Sequence, residues 1–256
     1  MNLDKELKVT KELAILAGKE IMKVYENSIE VEYKEDESPL TKADEKSNEV
    51  IVSRLRKEFS EYAILSEESE DDKSRLDNDW CFVIDPLDGT KEFIKRNGEF
   101  TVNIALTYKK KSVLGVIYVP VTKELYYATK GNGAFYEVNG QAEKIKVSDR
   151  TDNIRLVMSR SHASENLQEL IDKHDITNTK RAGSSLKGCK VAKGEAEVYY
   201  RFNPTMEWDT AAMQCIVEEA GGIFKQMDHS EMLYNRRNSL NDKGFYIINR
   251  EENQLL

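Results

Sequence analysis

Seven consecutive residues, Ile84-Asp85-Pro86-Leu87-Asp88-Gly89-Thr90, place two carboxylates and a hydroxyl where an apolar run, residues 80–84, gives out. The run reads as a buried strand. Pro86 cannot donate to a sheet ladder and Gly89 permits a sharp turn, so the strand is expected to end there with Asp85 and Asp88 aimed from its tip. Carboxylate oxygens gathered on a rigid strand end suit Mg²⁺ better than zinc or copper. The N–H groups after Asp88 would open a helix whose unpaired donors cradle a phosphate beside the cation. That is the equipment of metal-assisted phosphate ester hydrolysis. Asp-Pro and Asp-Gly are also ordinary turn pairs, and a purely structural loop accounts for the segment taken alone.

Two further acidic sites bear on the choice. Glu67-Glu68 follows the apolar run 62–65 as Asp85 follows its own strand, so two strand ends would present acids to one place; alternatively Glu67 only begins the solvated acidic loop 68–79. Asp209, in Trp208-Asp209-Thr210-Ala211-Ala212, heads an apolar helix reaching Ala220 and stopped by Gly221-Gly222. Helix capping explains Asp209 equally well at this level.

Taken in order, the acidic pair, the DPxDGT segment with Phe93 downstream, and WDxAA with Glu219-Ala220-Gly221-Gly222 resemble the inositol monophosphatase-like, lithium-sensitive, Mg²⁺-dependent phosphatases. Within that family the chain is most similar to the bacterial 3'(2'),5'-bisphosphate nucleotidases. The signals are Lys91-Glu92-Phe93-Ile94, Ser159-Arg160-Ser161-His162, Gly183-Ser184-Ser185-Leu186-Lys187, and the run from Tyr200 to Thr205 leading into Trp208. The likeness extends from about Leu13 to Ile248.

The resemblance implies a layered αβαβα fold and two or three Mg²⁺ ions. Glu67, Asp85 and the backbone carbonyl of Leu87 would hold one ion, and Asp85, Asp88 and Asp209 a second. Thr90 and Asp44 would orient and help deprotonate the attacking water, with Glu67 counted among the catalytic groups; Asp44 also suits a capping role. Asp88, Gly89, Thr90 and Asp209 would border the phosphate. Ser184, Lys187 and Arg201 would surround the nucleotide, with His162 near its base or ribose. The family commonly carries glycine where Asn203 stands and a bulky residue where Gly188 stands, and the second departure bears on the base pocket. The implied reaction removes the 3'-phosphate of 3'-phosphoadenosine 5'-phosphate. Two alternatives are an inositol or sugar monophosphatase with the same core, against which Glu92 speaks, and a non-catalytic nucleotide-binding regulator, for which a complete acidic set would be superfluous.

Composition sets limits. The 256 residues hold 46 acidic against 38 basic side chains, a formal charge of -8, which argues against a nucleic-acid polymer or an anionic membrane as partner. A small nucleotide bisphosphate would need a local basic patch. Cys81, Cys189 and Cys215 lack metal-ligand spacing, and an odd count in apolar contexts reads as reduced core thiols. No apolar run spans a bilayer and Met1-Asn2-Leu3-Asp4-Lys5 lacks a signal-peptide core, so a cytoplasmic monomer or homodimer is expected.

The elements that must position these residues follow from periodicity. Leu3, Leu7, Thr10, Ala14, Ala17, Ile21 and Val24 step by threes and fours as an amphipathic helix; a second helix is expected after Thr41, its N-cap, with Ile51, Leu55 and Phe59 on its apolar face. Strands are expected at 101–108, 113–119, 125–129 and 134–138, in an antiparallel sheet with turns at Gly131-Asn132-Gly133 and Asn139-Gly140. Beyond residue 150 strands (155–159, 179–182, 198–202, 223–226, 245–249) alternate with helices (164–174, 185–193 and the one after Trp208), an α/β pattern in which the long helix crosses between strands. The chain therefore reads as an α+β half, 1–150, that binds metal, and an α/β half, 151–256, that recognises substrate.

Overall fold

The computed structural model describes residues 1–27, 31–33, 39–160 and 164–256. Helix α1 (Asp4–Tyr25) leads to an antiparallel strand pair, β1 (Val31–Tyr33) and β2 (Pro39–Thr41), and then to α2 (Lys42–Glu58). A seven-stranded sheet follows in the order β3-β4-β5-β6-β7-β8-β9. Its strands are β3 (Ala63–Ser66), β4 (Trp80–Asp88), β5 (Thr101–Tyr108), β6 (Lys111–Val119), β7 (Glu124–Thr129), β8 (Gly133–Val138) and β9 (Gln141–Ile145), with the short helix α3 (Thr90–Ile94) after β4. Only the β3–β4 pair is parallel.

The later residues form β10 (Arg155–Ser159), α4 (Glu165–Lys173), β11 (Asn178–Ala182), α5 (Leu186–Ala192), β12 (Val198–Arg201), β13 (Thr205–Met206), α6 (Glu207–Glu219), β14 (Ile223–Gln226), β15 (Leu240–Asn241) and β16 (Phe245–Ile248). Five of these strands make a second sheet, β11-β10-β12-β16-β14, and β13 pairs with β15. The second sheet is mixed: β10 runs parallel to β11 and β12, whereas β16 is antiparallel to both of its neighbours.

Three apolar cores stack the layers as αβαβα. Leu13, Ile21, Ile51 and Leu55 of α1 and α2 meet Phe82, Ile84 and Ile104 on one face of the first sheet. Cys81, Val83, Ala105 and Ile117 point to the other face, where they meet α5 and α6 together with Tyr199 and Ile247 of the second sheet. Leu167 and Leu170 of α4 cover that sheet's far side at Leu156 and Val198. Both faces of the first sheet are therefore apolar, which is why β4 and β5 read as nearly unbroken hydrophobic runs. Among the described residues no helix is long and apolar enough to cross a membrane.

Two expectations need correction. The strand leading to the acidic loop does not stop at Ile84; it continues through Asp88, with a bulge between Asp85 and Asp88. Asp85 stands opposite Asn103 and Asp88 opposite Thr101, so one extra residue is taken up by β4 and Pro86 sits at the bulge, where its missing N–H costs no ladder bond. The antiparallel sheet also gains β9, whose residues Gln141 to Lys144 are exposed and carry no apolar alternation to announce it.

α6 lies across the first sheet so closely that β6 has room there only for a glycine. A Cβ added to Gly115 would come within 3.0 Å of the backbone C and Cα of Ala212, and closer still to its carbonyl oxygen. Neither helix backbone nor sheet can yield cheaply, so Gly115→Ala should cost about 1–3 kcal/mol and lower the melting temperature by roughly 2–10 °C. Thermal unfolding followed by circular dichroism checks this; an unchanged midpoint would mean the helix floats on the sheet rather than resting on it.

Candidate active site

The bulge in β4 turns two carboxylates toward one side. The parallel neighbour β3 pairs only as far as Ser66 opposite Ile84, with one more bond from Glu67 N–H to the Ile84 carbonyl at 3.2 Å. Past that point the Pro86 carbonyl accepts from Ser47 Oγ of α2 at 2.7 Å and Asp85 Oδ1 accepts from Leu87 N–H at 3.1 Å. Gly89 then takes a left-handed conformation, φ 94°, and α3 starts at Thr90.

Asp88 is gripped from both halves of the chain. Its Oδ2 accepts from Ser185 N–H at 2.7 Å, Ser184 Oγ and Ser185 Oγ at 2.8 Å each, and Asn103 Nδ2 at 3.1 Å. Ser184 Oγ also lies 2.6 Å from Thr101 Oγ1. Thr101 and Asn103 occupy alternate positions of β5, hence the same face, and are polar residues in an apolar strand; that spacing was the legible signal for their role.

Asp44 serves the cap and the site together. It is buried, and its Oδ2 accepts from Thr41 N–H at 2.8 Å and from Thr41 Oγ1 at 2.7 Å, completing a capping box on α2. Its other oxygen, Oδ1, accepts from Thr90 Oγ1 at 3.3 Å, and the same hydroxyl lies 3.4 Å from the Leu87 carbonyl. Burial pushes the Asp44 carboxyl up to about 6.

Asp209 arrives from the opposite side, at the head of α6, where its Oδ2 accepts from Met206 N–H at 2.6 Å. Cap and site are again combined. The start of α6 is itself anchored: fully buried Glu207 accepts from Asn235 N–H at 2.6 Å, Arg236 N–H at 3.0 Å and Arg236 Nε at 3.1 Å. Asn241 Nδ2 donates to the Met206 carbonyl at 2.8 Å, and buried Arg75 donates to Asn235 Oδ1 at 2.8 Å. Nothing in the spacing of these residues along the chain foretold that bracket.

Asp85, Asp88 and Asp209 each offer a carboxylate oxygen, all within 4.8 Å of one another. Glu67 is outside that tight group but borders the same cleft, and after burial its charge is the next strongest influence raising Asp85. Burial and the neighbouring carboxylates hold Asp85 well above the usual carboxylate range. Asp209 is pushed up to about 7, first by burial and then by Asp88.

The cleft beside the cluster has a volume of about 230 Å³ and is bordered by Gly89, Thr90, Ser184, Lys187 and Arg201 as well as by Tyr199, Met213 and Phe245. Lys187 Nζ donates to the Ser184 carbonyl and lies 5.5 Å from the Tyr199 ring; burial brings its ammonium down to about 8. Arg201 Nε is buried and has no hydrogen-bond partner among the described residues. His162 lies outside the described residues. Nothing in the sequence sets the three apolar lining residues apart; they border the cleft where α6 packs against the second sheet.

A profile of the inositol monophosphatase family matches residues 2–255. The chain belongs to the inositol monophosphatase family. Among the relatives it is 43% identical over 240 residues to the 3'(2'),5'-bisphosphate nucleotidase CysQ of Salmonella typhimurium, covering 92% of this chain and 96% of that one. The enzyme of the same description from Escherichia coli K12 is 41% identical over 241 residues, with the same coverage. A crystal structure of CysQ from Bacteroides thetaiotaomicron, described as a bacterial member of the family, superposes with a TM-score of 0.85 at 40% identity, covering 98% of this chain and all of that one. The fold that superposes is the αβαβα arrangement built above.

A carboxyl whose pKa is raised by folding loses stability as pH climbs from the unfolded value through the folded one, because the folded chain must give up a proton it holds more tightly. Asp85→Asn should therefore melt higher than the native protein at pH 8 with chelator present, and the gap should close as pH falls toward the usual carboxylate range near 3.8. Melting curves of both proteins across that pH range check the sign; a variant that is less stable at pH 8 would show that the carboxylates do not repel one another as described.

Proposed function

We propose that this chain is an Mg²⁺-dependent 3'(2'),5'-bisphosphate nucleotidase that hydrolyses the 3'-phosphate of 3'-phosphoadenosine 5'-phosphate to AMP and phosphate. One observation carries the reading. Asp88 and Asp209 of the carboxylate cluster line one cleft together with the two cationic side chains of Lys187 and Arg201, with Asp85 buried beside them. An acidic seat beside a basic one suits a substrate with one phosphate to be cleaved and another to be held. The nucleotidases that share 41–43% of their residues with this chain over nearly its whole length support the substrate class.

The donor set fits a hard cation. Among the described residues every side-chain ligand in the cluster is a carboxylate oxygen, and the raised affinity of Asp85 and Asp209 for protons is what an acidic site shows when positive charge is what it needs. Glu67, Asp85 and the Leu87 carbonyl would hold one Mg²⁺, and Asp85, Asp88 and Asp209 another. Bound there, the ions supply charge neutralisation for the phosphate and acidify water.

The chain's own groups do the rest. The Thr90 hydroxyl, held by Asp44 Oδ1, orients the attacking water at the mouth of the cluster. Asp44, with its carboxyl near 6, is matched to take the Thr90 hydroxyl proton close to neutral pH as that oxygen takes one from the attacking water. Backbone N–H groups at Gly89 and Thr90 border the scissile phosphate. Arg201 and Lys187 hold the 5'-phosphate: an orphaned guanidinium nitrogen and a partly desolvated ammonium are each better satisfied by an anion. On this reading residues 1–150 supply most of the cation site and 151–256 select the substrate. The three buried free thiols suit the reducing cytoplasm.

Phosphate release from 3'-phosphoadenosine 5'-phosphate and from inositol 1-phosphate, measured side by side with Mg²⁺, tests this. Losing a charge-assisted contact is worth about 1.5–3 kcal/mol, so Lys187→Ala and Arg201→Ala should each lower kcat/KM for the bisphosphate roughly ten- to a hundredfold. Hydrolysis of inositol 1-phosphate should be spared. Equal losses on both substrates would assign these residues to the chemistry instead, and a preference of the native protein for inositol 1-phosphate would replace the nucleotidase reading with a monophosphatase.

A further inference from the structure

Behind the cationic part of the cleft, α5 and α6 touch at a point where only one of them can carry a side chain. A Cβ placed on Gly188 would fall on the Sδ and Cγ atoms of Met213, closer than real Cβ contacts come, with Ile247 Cδ1 a further 3.3 Å neighbour. The thioether thus fills the volume that any residue larger than glycine would need at 188. Met213 follows Asp209 by four residues, so the two lie one turn apart on the same face of α6, and both border the cleft.

The wall that Met213 joins is set by strand register. Tyr199 and Arg201 alternate on β12 and so point to the same side. Phe245 is the cross-strand partner of Arg201, and its ring meets that of Tyr199 edge-on, with centroids 5.4 Å apart at 89°. A ligand beside the carboxylates would therefore meet, in the same cleft, cationic groups and an apolar, partly aromatic wall. A thioether beside aromatic rings is a polarisable surface that favours contact with another flat ring. The hydroxyls of a polyol phosphate would have to shed water against that surface, at a cost in free energy.

We propose that Met213, admitted by the missing side chain at Gly188, is a specificity-determining residue that seats the purine of the substrate against Tyr199 and Phe245. This rests on the nucleotidase reading and names the group that makes it prefer a nucleotide to a sugar phosphate. The departure at Gly188 from the bulky residue expected there is then not a gap in the base pocket, because the methionine of the neighbouring helix fills the same space.

The test is kinetic, with Met213→Ala, Met213→Leu, Gly188→Ala and the Gly188→Ala/Met213→Ala double variant assayed on 3'-phosphoadenosine 5'-phosphate and inositol 1-phosphate, each protein checked by thermal melting. Met213→Ala should raise KM for the bisphosphate about tenfold to a hundredfold, the range for a lost apolar pocket contact, with kcat little changed. Its kcat/KM for inositol 1-phosphate should stay at the native value. Met213→Leu, which conserves volume, should lie between the two. Gly188→Ala should reproduce the KM effect by displacing the thioether, and the double variant should be no worse than Met213→Ala alone, since both changes act on one contact. Equal losses on the two substrates in a Met213→Ala protein that melts normally would overturn the proposal, and so would an unchanged KM. A native protein that fails to prefer the bisphosphate would instead bring down the nucleotidase reading, an outcome visible without making any variant.

Discussion

Like charge brought together in a buried place is the constraint around which this molecule is arranged. With their carboxylate oxygens within 4.8 Å of one another, any two of Asp85, Asp88 and Asp209 would repel, when ionised, by about 3 kcal/mol at an effective dielectric constant near 20. A single neutral hydrogen bond returns only about 1 kcal/mol. No one contact can hold such a cluster, and the fold supplies fixed donors to all three: Leu87 N–H for Asp85, Met206 N–H for Asp209, and several from the Ser184–Ser185 turn and Asn103 for Asp88. Burial first, and then the unbalanced like charge, raises the proton affinity of Asp85 and Asp209.

The larger architecture follows from needing these three groups in one spot. Asp85 and Asp88 come from a central strand of the first sheet, and Asp209 from a helix reached more than a hundred residues later. Laying α6 directly on Gly115 of β6 brings its first turn to the end of β4. Behind that turn, buried Glu207, Asn241 and Arg75 and half-buried Arg236 form a bracket that fixes where the helix begins. The same layer carries α5, whose Lys187 supplies positive charge in a chain that is acidic as a whole. Position and charge at the site are thus products of a single packing arrangement, with α5 and α6 held between the two sheets.

Much of this is legible in the order of the residues alone. Asp85, Asp88 and Asp209 stand out because their residue types are unusual at the ends of apolar elements, and Asp44 because it sits three residues after a cap. The alternatives weighed for Asp44 and Asp209 do not compete, since each caps its helix and reaches the site at once. Pro86 misleads: its lack of an N–H argues for the end of a strand, but a bulge absorbs it and lets β4 run on to Asp88. β9 stays hidden because an exposed edge strand of Gln141, Ala142, Glu143 and Lys144 has no hydrophobic pattern. Met213, Tyr199 and Phe245 resemble core residues because they are nearly buried, and nothing local distinguishes the floor of a cleft from the core beneath it. The Glu207 bracket spans residues 75 to 241, and contacts of that range leave no trace in local spacing.

Whether the carboxylate cluster is a seat for a divalent cation, on which everything else at the site depends, is tested most directly by stability rather than by turnover. A ligand that binds only the folded state stabilises it by about 2.7 kcal/mol at a hundred times its dissociation constant, which for a chain of this size is a rise of roughly 5–10 °C in melting temperature. A seat of this kind predicts a saturable rise on adding Mg²⁺ at constant ionic strength, absent in Asp85→Asn, which removes a ligand from both proposed sites. A native melting temperature that responds to Mg²⁺ no more than to KCl of matched ionic strength would contradict it.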